Sequence, residues 1–332
     1  MPSAVVCSQA PQHTTMLDAL EIAEIRGHGL LHSADLIELG VTSRLIRRAL
    51  GEGVLVRVHR GVYALPKPNE SLKPSELHRL QVRATIGLAG PDSVVSHLSA
   101  AAMHGLPLIG TWPKRVHVSR VGSLGGSSSP GIVSHRARDI PEITMIDDVA
   151  VTTLTRTVVD VASTCSFVIA VAMIDHALRV GGLTKEAVLA ECDRVGLEFG
   201  KRKVFDAVEF SDERSGSPGE SLSRVHAHLL GFAAPDLQVE VTTVRGKFDV
   251  DFGWLTARRF GEFDGIVKYT RAAYLKGRTV EQVVIAEKER EDSIRAKTGH
   301  TFVRWLWKDA LNPAVFDRIL REAEVPRARG RG

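Results

Sequence analysis

The run Pro66-Lys67-Pro68-Asn69 stops every apolar pattern that leads up to it. Two prolines so close together deny the chain a helix interior or a central strand at that point. A second interruption, polar and charged, runs from Ser211 to Pro218, so the sequence falls into three stretches, 15–66, 72–200 and 211–324. Each must bury a core of its own. The 332 residues allow this, since a chain of that length holds two to three domains at roughly 150 residues each. With 44% apolar and 25% charged residues, disordered and fibrous classes are excluded. The expected fold class is an α/β multidomain protein.

The first stretch reads as helix, helix, helix and hairpin. Ser33 is placed to cap a helix over Ala34 to Leu39, with Gly40 where a left-handed residue ends one. Thr42 or Ser43 then caps a second helix whose Leu45, Ile46, Ala49 and Leu50 form an apolar face, while Arg44, Arg47 and Arg48 share the opposite one. Leu55 to His59 and Val62 to Leu65 flank Arg60-Gly61 as a hairpin that carries Arg57 and Arg60. This pattern predicts a winged helix-turn-helix over 15–66. A helix of this kind fits the major groove of double-stranded DNA, where arginines read guanine edges or hold phosphates, and a basic hairpin lies against the neighbouring backbone. Ser43, Arg44, Arg47, Arg48, Arg57 and Arg60 are the expected DNA contacts. The alternative reading of the same arginines is a solvated face on a small helical domain.

Overall charge does not decide between them, because 43 Lys and Arg stand against 39 Asp and Glu. Aromatic residues are only 5%, which leaves few rings on which single-stranded bases would stack. Cys7, Cys165 and Cys192 are far apart and lack metal-ligand spacing, so a reducing, cytoplasmic setting is expected. The most apolar run, Phe167 to Ile174, stops at Asp175, and no membrane partner is expected.

The middle stretch, 72–200, mixes helical segments (Glu76 to Leu88, Ser96 to His104) with strand-like runs (Arg115 to Ser119, Val149 to Thr153) and a Gly/Ser-rich loop, Gly122 to Pro130. An α+β middle domain is expected. His97 and His104, seven apart on an Ala-rich helix, read as packing residues rather than ligands.

The "LVRVHRGVYALP" run ending at Pro66, with "VVSHLSAAAMHGLP" (Val94 to Pro107) and "VAVTTLTRTVVDVA" (Val149 to Ala162), resembles AbiEi-type antitoxins, the repressor partners in type IV toxin-antitoxin systems. The resemblance implies an autoregulatory DNA binder and, as partner, a nucleotidyltransferase-type toxin.

The third stretch concentrates acidic residues. Ser217-Pro218-Gly219-Glu220 has the form of a capping box with proline at the first helical position. Gln238 to Thr243 reads as a strand, and Phe248 to Phe252 and Phe260 to Asp264 alternate strictly. With Leu255 to Arg258 as the turn, Trp254 pairs with Arg259, Asp251 stands opposite Glu262, Asp249 opposite Asp264, and Val250 faces Phe263 on the apolar side. Like charges across a ladder are unfavourable unless a cation, or a Lys or Arg, neutralises them. A hard divalent ion such as Mg²⁺ takes a few carboxylates and a substrate phosphate, which is the chemistry of phosphodiester cleavage.

These segments, with "SGSPGESLSRVHAHLLGFAAPDLQ", "GEFDGIVKY" and "EKEREDSIRAKTGHTFVRWLW", resemble the PD-(D/E)XK superfamily, and more closely very-short-patch-repair endonucleases. The resemblance implies a restriction-endonuclease-like α/β domain over 211–324 with a central mixed sheet. It makes Glu220 the helix carboxylate and Asp251 and Glu262 the metal ligands. With Lys268, just beyond the acidic run, these are the expected catalytic set, and Asp264, on the same acidic face, joins Asp251 and Glu262 as an expected ligand of Mg²⁺ or Mn²⁺. The superfamily's lysine position holds Asp264 here, so Lys268 would supply the positive charge. Thr279 to Lys297 reads as an amphipathic helix carrying Lys288, Arg290, Arg295 and Lys297, followed by a buried strand from Thr301 to Trp305, with Trp305 and Trp307 as core and edge residues. Two functions follow: a DNA-binding regulator resembling AbiEi antitoxins, or a Mg²⁺-dependent DNA endonuclease guided by its winged helix.

Overall fold

The computed structural model describes residues 15–26, 29–65, 73–87, 89–90, 92–122, 131–139, 141–265 and 279–328. Lys268, the Pro66–Asn69 break and nearly all of the Gly122–Pro130 loop lie outside them. The chain is mixed α/β and divides into two compact units, one holding 1–103 and 112–151, the other 104–111 and 152–332.

The first unit opens with α1 (Met16–Arg26), β1 (Leu31–His32), α2 (Ser33–Glu38), α3 (Ser43–Gly51), β2 (Val56–His59) and β3 (Val62–Ala64). The three strands form a sheet in the order β1-β3-β2, an arrangement consistent with a winged helix. Leu20, Leu31, Leu36, Ile46, Leu55 and Tyr63 interlock beneath it as one buried cluster. Gly40 takes φ 85° in the turn between α2 and α3, a conformation that favours a residue without Cβ. Ser33 does not cap α2. The helix begins at Ser33 itself, and its hydroxyl and main-chain N–H both donate to the Gly61 carbonyl at 2.8 Å. The serine therefore ties the helix to the tip of the hairpin.

A second sheet, ordered β6-β5-β4-β8-β7, is built from β4 (Val94–Val95), β5 (Val116–Val121), β6 (Ile132–Ala137), β7 (Ile143–Ile146) and β8 (Val149–Thr152). Asp147 and Asp148, both at positive φ, make the tight turn from β7 to β8. Two helices, α4 (Pro74–Ile86) and α5 (His97–Met103), pack with this sheet. Ala100, Ala101 and Ala102 are all fully buried in α5.

The second unit begins with α6 (Leu154–Thr164), α7 (Phe167–Gly181), α8 (Lys185–Val195) and α9 (Lys201–Phe210). Next come α10 (Pro218–Leu229) and a four-stranded mixed sheet, β12-β11-β10-β9, made of β9 (Asp236–Thr243), β10 (Gly246–Trp254), β11 (Arg259–Asp264) and β12 (Thr301–Leu306). β11 and β12 run parallel, joined through α11 (Val280–Thr298); α12 (Trp307–Ala310) and α13 (Pro313–Glu322) close the unit. Phe252, Trp254, Trp305, Phe316 and Leu320 form its core, and Trp305 Nε1 donates to Ser223 Oγ at 2.7 Å. Trp307 starts α12 instead of extending the strand, and meets Phe263 edge-on with ring centroids 5.1 Å apart. Gly219 lets α10 lie directly on β11, since a Cβ there would stand 2.1 Å from the Phe263 ring.

The β10–β11 register is the one expected from the turn, with Trp254 opposite Arg259 and Phe252 opposite Gly261. Regular pairing ends there. Asp251 Oδ2 accepts the Phe263 main-chain N–H at 2.9 Å, so a side chain stands in for main-chain pairing. Across β9, Gln238 sits at φ 50°. The β9–β10 ribbon bends at this point. Leu237 and Phe252 stay in the main core, while Val241 and Val250 join Phe260 and Ile294 in a separate cluster. Val250 therefore does not pack on Phe263, because the left-handed backbone at Gln238 re-aims the strand beyond it.

Candidate nucleic-acid interface and acidic cluster

Helix α3 is capped by Thr42, whose hydroxyl accepts the Leu45 N–H at 3.4 Å. Ile46 and Ala49 anchor one face in the core, which turns Ser43, Arg44, Arg47 and Arg48 to the exterior. Arg47 Nε donates to the Ser43 carbonyl at 3.3 Å, which aligns the guanidinium along the helix. Arg48 is paired with Glu52 at 2.7 Å, a neutralisation that the four-residue spacing announces but the arginine count hides. Arg57 and Arg60 are exposed on the hairpin. Arg44, Arg47, Arg57 and Arg60 have no ion-pair partner among the described residues, so four guanidinium groups remain available to phosphates or base edges.

The acidic residues of the second unit do not meet in one place. Ser217 caps α10, accepting the Glu220 N–H at 3.2 Å, but the Glu220 carboxylate does not close the box. It accepts instead from the Gly216 N–H at 2.7 Å and from Gln238 Nε2 at 2.9 Å. The same Gln238 amide reaches Asp251 Oδ1 at 3.5 Å. Glu220 and Asp251 are thus joined through one amide. Asp249 is exposed on the outer part of the ribbon.

Glu262 and Asp264 belong to a different network. Glu262 is 5% exposed, and its two oxygens are engaged by Arg290 at 2.7 Å and Arg304 at 2.6 Å. Arg304 also pairs with Asp264 at 3.3 Å and Glu291 at 3.1 Å, and both arginines reach Glu287 at 2.8 Å. Burial pushes the Glu262 carboxyl above the usual carboxylate range, against the pull of its two arginines. Burial works against the Arg304 cation, yet Glu262, Glu287 and Asp264 hold it firmly protonated. The neutralising charge that the strand pair requires comes from Arg290 on α11 and Arg304 on β12.

This arrangement bears on the expected metal ligands. A hard cation needs carboxylate oxygens that converge on one point. Asp251 Oδ2 is engaged with a main-chain N–H, and Glu262 and Asp264 face guanidinium groups. Among the described residues, no group of three or more His, Cys, Asp and Glu side chains is placed to hold a metal. The side chains as arranged do not fit Mg²⁺ or Mn²⁺.

Residues 18–66 match a family described as transcriptional regulator, AbiEi antitoxin. Among solved structures, the crystal structure of the RV2827C protein from Mycobacterium tuberculosis is similar at 15% identity, covering 64% of this chain and 81% of that chain with a TM-score of 0.36. No curated protein matches the sequence. Among the described residues, no helix is long and apolar enough to cross a membrane.

Proposed function

We propose that the chain is a DNA-binding regulator of antitoxin type that reads a duplex through α3 and grips the adjacent backbone with the β2–β3 wing. The observation that carries this reading is the set of four exposed arginines on those two elements, without ion-pair partners among the described residues, within the stretch similar to AbiEi regulators. Arg44 and Arg47 project from the first turns of α3, where a helix lying in the major groove meets base edges. Arg57 and Arg60 reach phosphates from the hairpin. A nucleotidyltransferase-type toxin is the proposed protein partner, and the setting is cytoplasmic. A gel shift on the duplex upstream of the chain's own reading frame, against a scrambled duplex of equal length, tests the reading. Retardation of the upstream duplex at lower protein concentration supports it, and equal retardation of both removes the sequence-reading role.

A second reading, a Mg²⁺- or Mn²⁺-dependent endonuclease over 211–324, draws on the adjacency of Glu220 and Asp251 across Gln238. It requires Glu262 and Asp264 to leave their arginines, with Lys268 as the added cation. Nicking of supercoiled plasmid that disappears in Asp251→Ala would favour it. Intact plasmid at all metal concentrations would leave the regulator alone.

A further inference from the structure

Four imidazoles gather beside the second sheet of the first unit. His117 of β5 and His135 of β6 lie on one face of a parallel pair, next to Val133 and Ser119. His135 Nε2 and His117 Nδ1 are 3.1 Å apart. His97, which opens α5, lays its ring flat on His135, with centroids 3.5 Å apart and planes at 14°. From α4, His78 bonds Ser99 Oγ at 3.0 Å, and the same hydroxyl accepts the His117 main-chain N–H at 2.9 Å. His97 is 7% exposed and held at φ 53°, a conformation uncommon for a residue with a side chain.

The wing rests on the same structure. Strand β2 packs against α4, and the ring of His59, at the end of β2, lies against Gly131, where a Cβ would come 3.4 Å from its Nε2. Gly131 leads directly into β6. The titratable and charged groups around the His117–His135 pair include His78 from α4, His97 from α5 and Arg115, which immediately precedes β5.

A neutral imidazole has one N–H and one acceptor nitrogen, so the His117–His135 contact is satisfied while one ring donates and the other accepts. Two protonated rings leave no acceptor between these nitrogens, and their charges then add to Arg115. Burial, then His135, His78 and Arg115, hold the His117 pKa down to about 4, and burial lowers His78 as well. An unfolded histidine titrates near ~6.5. Between these values the unfolded chain binds more protons than the folded one, so the stabilisation is complete above the window and is lost as the pH falls through it.

We propose that this histidine stack is an acid-sensitive seat for the wing: its protonation loosens the β5–β6 edge on which the wing rests, and the protein releases duplex DNA. The release step rests on the DNA-binding function proposed above.

The test is fluorescence anisotropy on the labelled upstream duplex at about pH 7.5 and at about pH 4, the value to which the His117 pKa is held down, beside thermal unfolding of the free protein at both. Wild type, His97→Asn and the double variant His117→Gln/His135→Gln are compared. Asparagine tolerates the left-handed backbone of position 97, so His97→Asn keeps the fold while removing the stacked ring. Wild type is expected to lose about tenfold or more in affinity and to melt several degrees lower at the acid pH, and both variants to lose less than about threefold. Wild-type affinity that holds or rises at the acid pH overturns the proposal, as do variants that respond as strongly as wild type. Absence of binding at about pH 7.5 refutes the DNA-binding reading and the release step with it, whereas a wild-type melting temperature equal at both pH values refutes the stack alone.

Discussion

Glu262 shows how one side chain decides what its neighbourhood can do. Its carboxylate closes ion pairs to Arg290 and Arg304, 28 and 42 residues away along the chain. We expect Glu262→Gln to cost about 1.5–3 kcal/mol, the usual loss for a hydrogen bond to a charged group, measured by urea unfolding. An unchanged midpoint would show that the pair adds nothing to stability. A double-variant cycle with Arg304→Ala should show a coupling of about 0.5 kcal/mol or more, and strict additivity would contradict direct pairing. Gly219→Ala should destabilise by about 1–3 kcal/mol through overpacking, because the Phe263 ring occupies the place of the added methyl. Wild-type stability would place α10 farther from β11 than described. The acidic residues themselves were legible from strict alternation, and so was the need for a compensating charge. Which charge was not. Arg304 is an ordinary residue in a strand-forming run, and nothing local points it at Glu262; only the parallel pairing of β11 with β12, which sets Glu262 beside Arg304, does so.

Among the elements, α3 and the wing were the most legible. The Thr42 cap, the Gly40 turn and the Arg60-Gly61 hairpin all follow from local chemistry that a single sequence displays. The role of Ser33 was hidden, because its partner is the Gly61 carbonyl in the hairpin. The bend in the β9–β10 ribbon was hidden too: glutamine gives no warning of positive φ, and the bend moves Val250 from one apolar cluster to another. The internal pair Arg48–Glu52 divides the arginines of α3 into two kinds. We predict that Arg48→Ala weakens duplex binding less than Arg44→Ala or Arg47→Ala, and that Glu52→Gln tightens it severalfold by releasing Arg48 and removing a negative charge. Binding curves for the four variants on one duplex check this, and a Glu52→Gln curve that coincides with wild type would show that Arg48 does not face the nucleic acid.

At the scale of the molecule, the punctuation of the sequence marks loops better than it marks compact units. The last passage from the first unit to the second falls within β8, between Val151 and Thr152, without a proline or glycine to signal it. A boundary of this kind is set by which core each element enters, and that depends on packing between residues far apart in the chain. Alternation marks the strands of the second unit, whereas its mixed sheet is what the resemblance of 211–324 to a restriction-endonuclease-like domain implies; the parallel pairing of β11 with β12 is set by the chain between them. The absence of converging carboxylates among the described residues, by contrast, emerged only once α11 and β12 had brought their arginines to β11. The functional account therefore stands on the amino-terminal reader. Its most direct test is the salt dependence of upstream-duplex binding for wild type and the Arg44→Ala/Arg47→Ala variant. Every guanidinium that no longer reaches a phosphate should flatten the plot of log affinity against log salt by about one unit. The account predicts weaker binding with a slope reduced by about one to two units; superimposable affinities and slopes would contradict it.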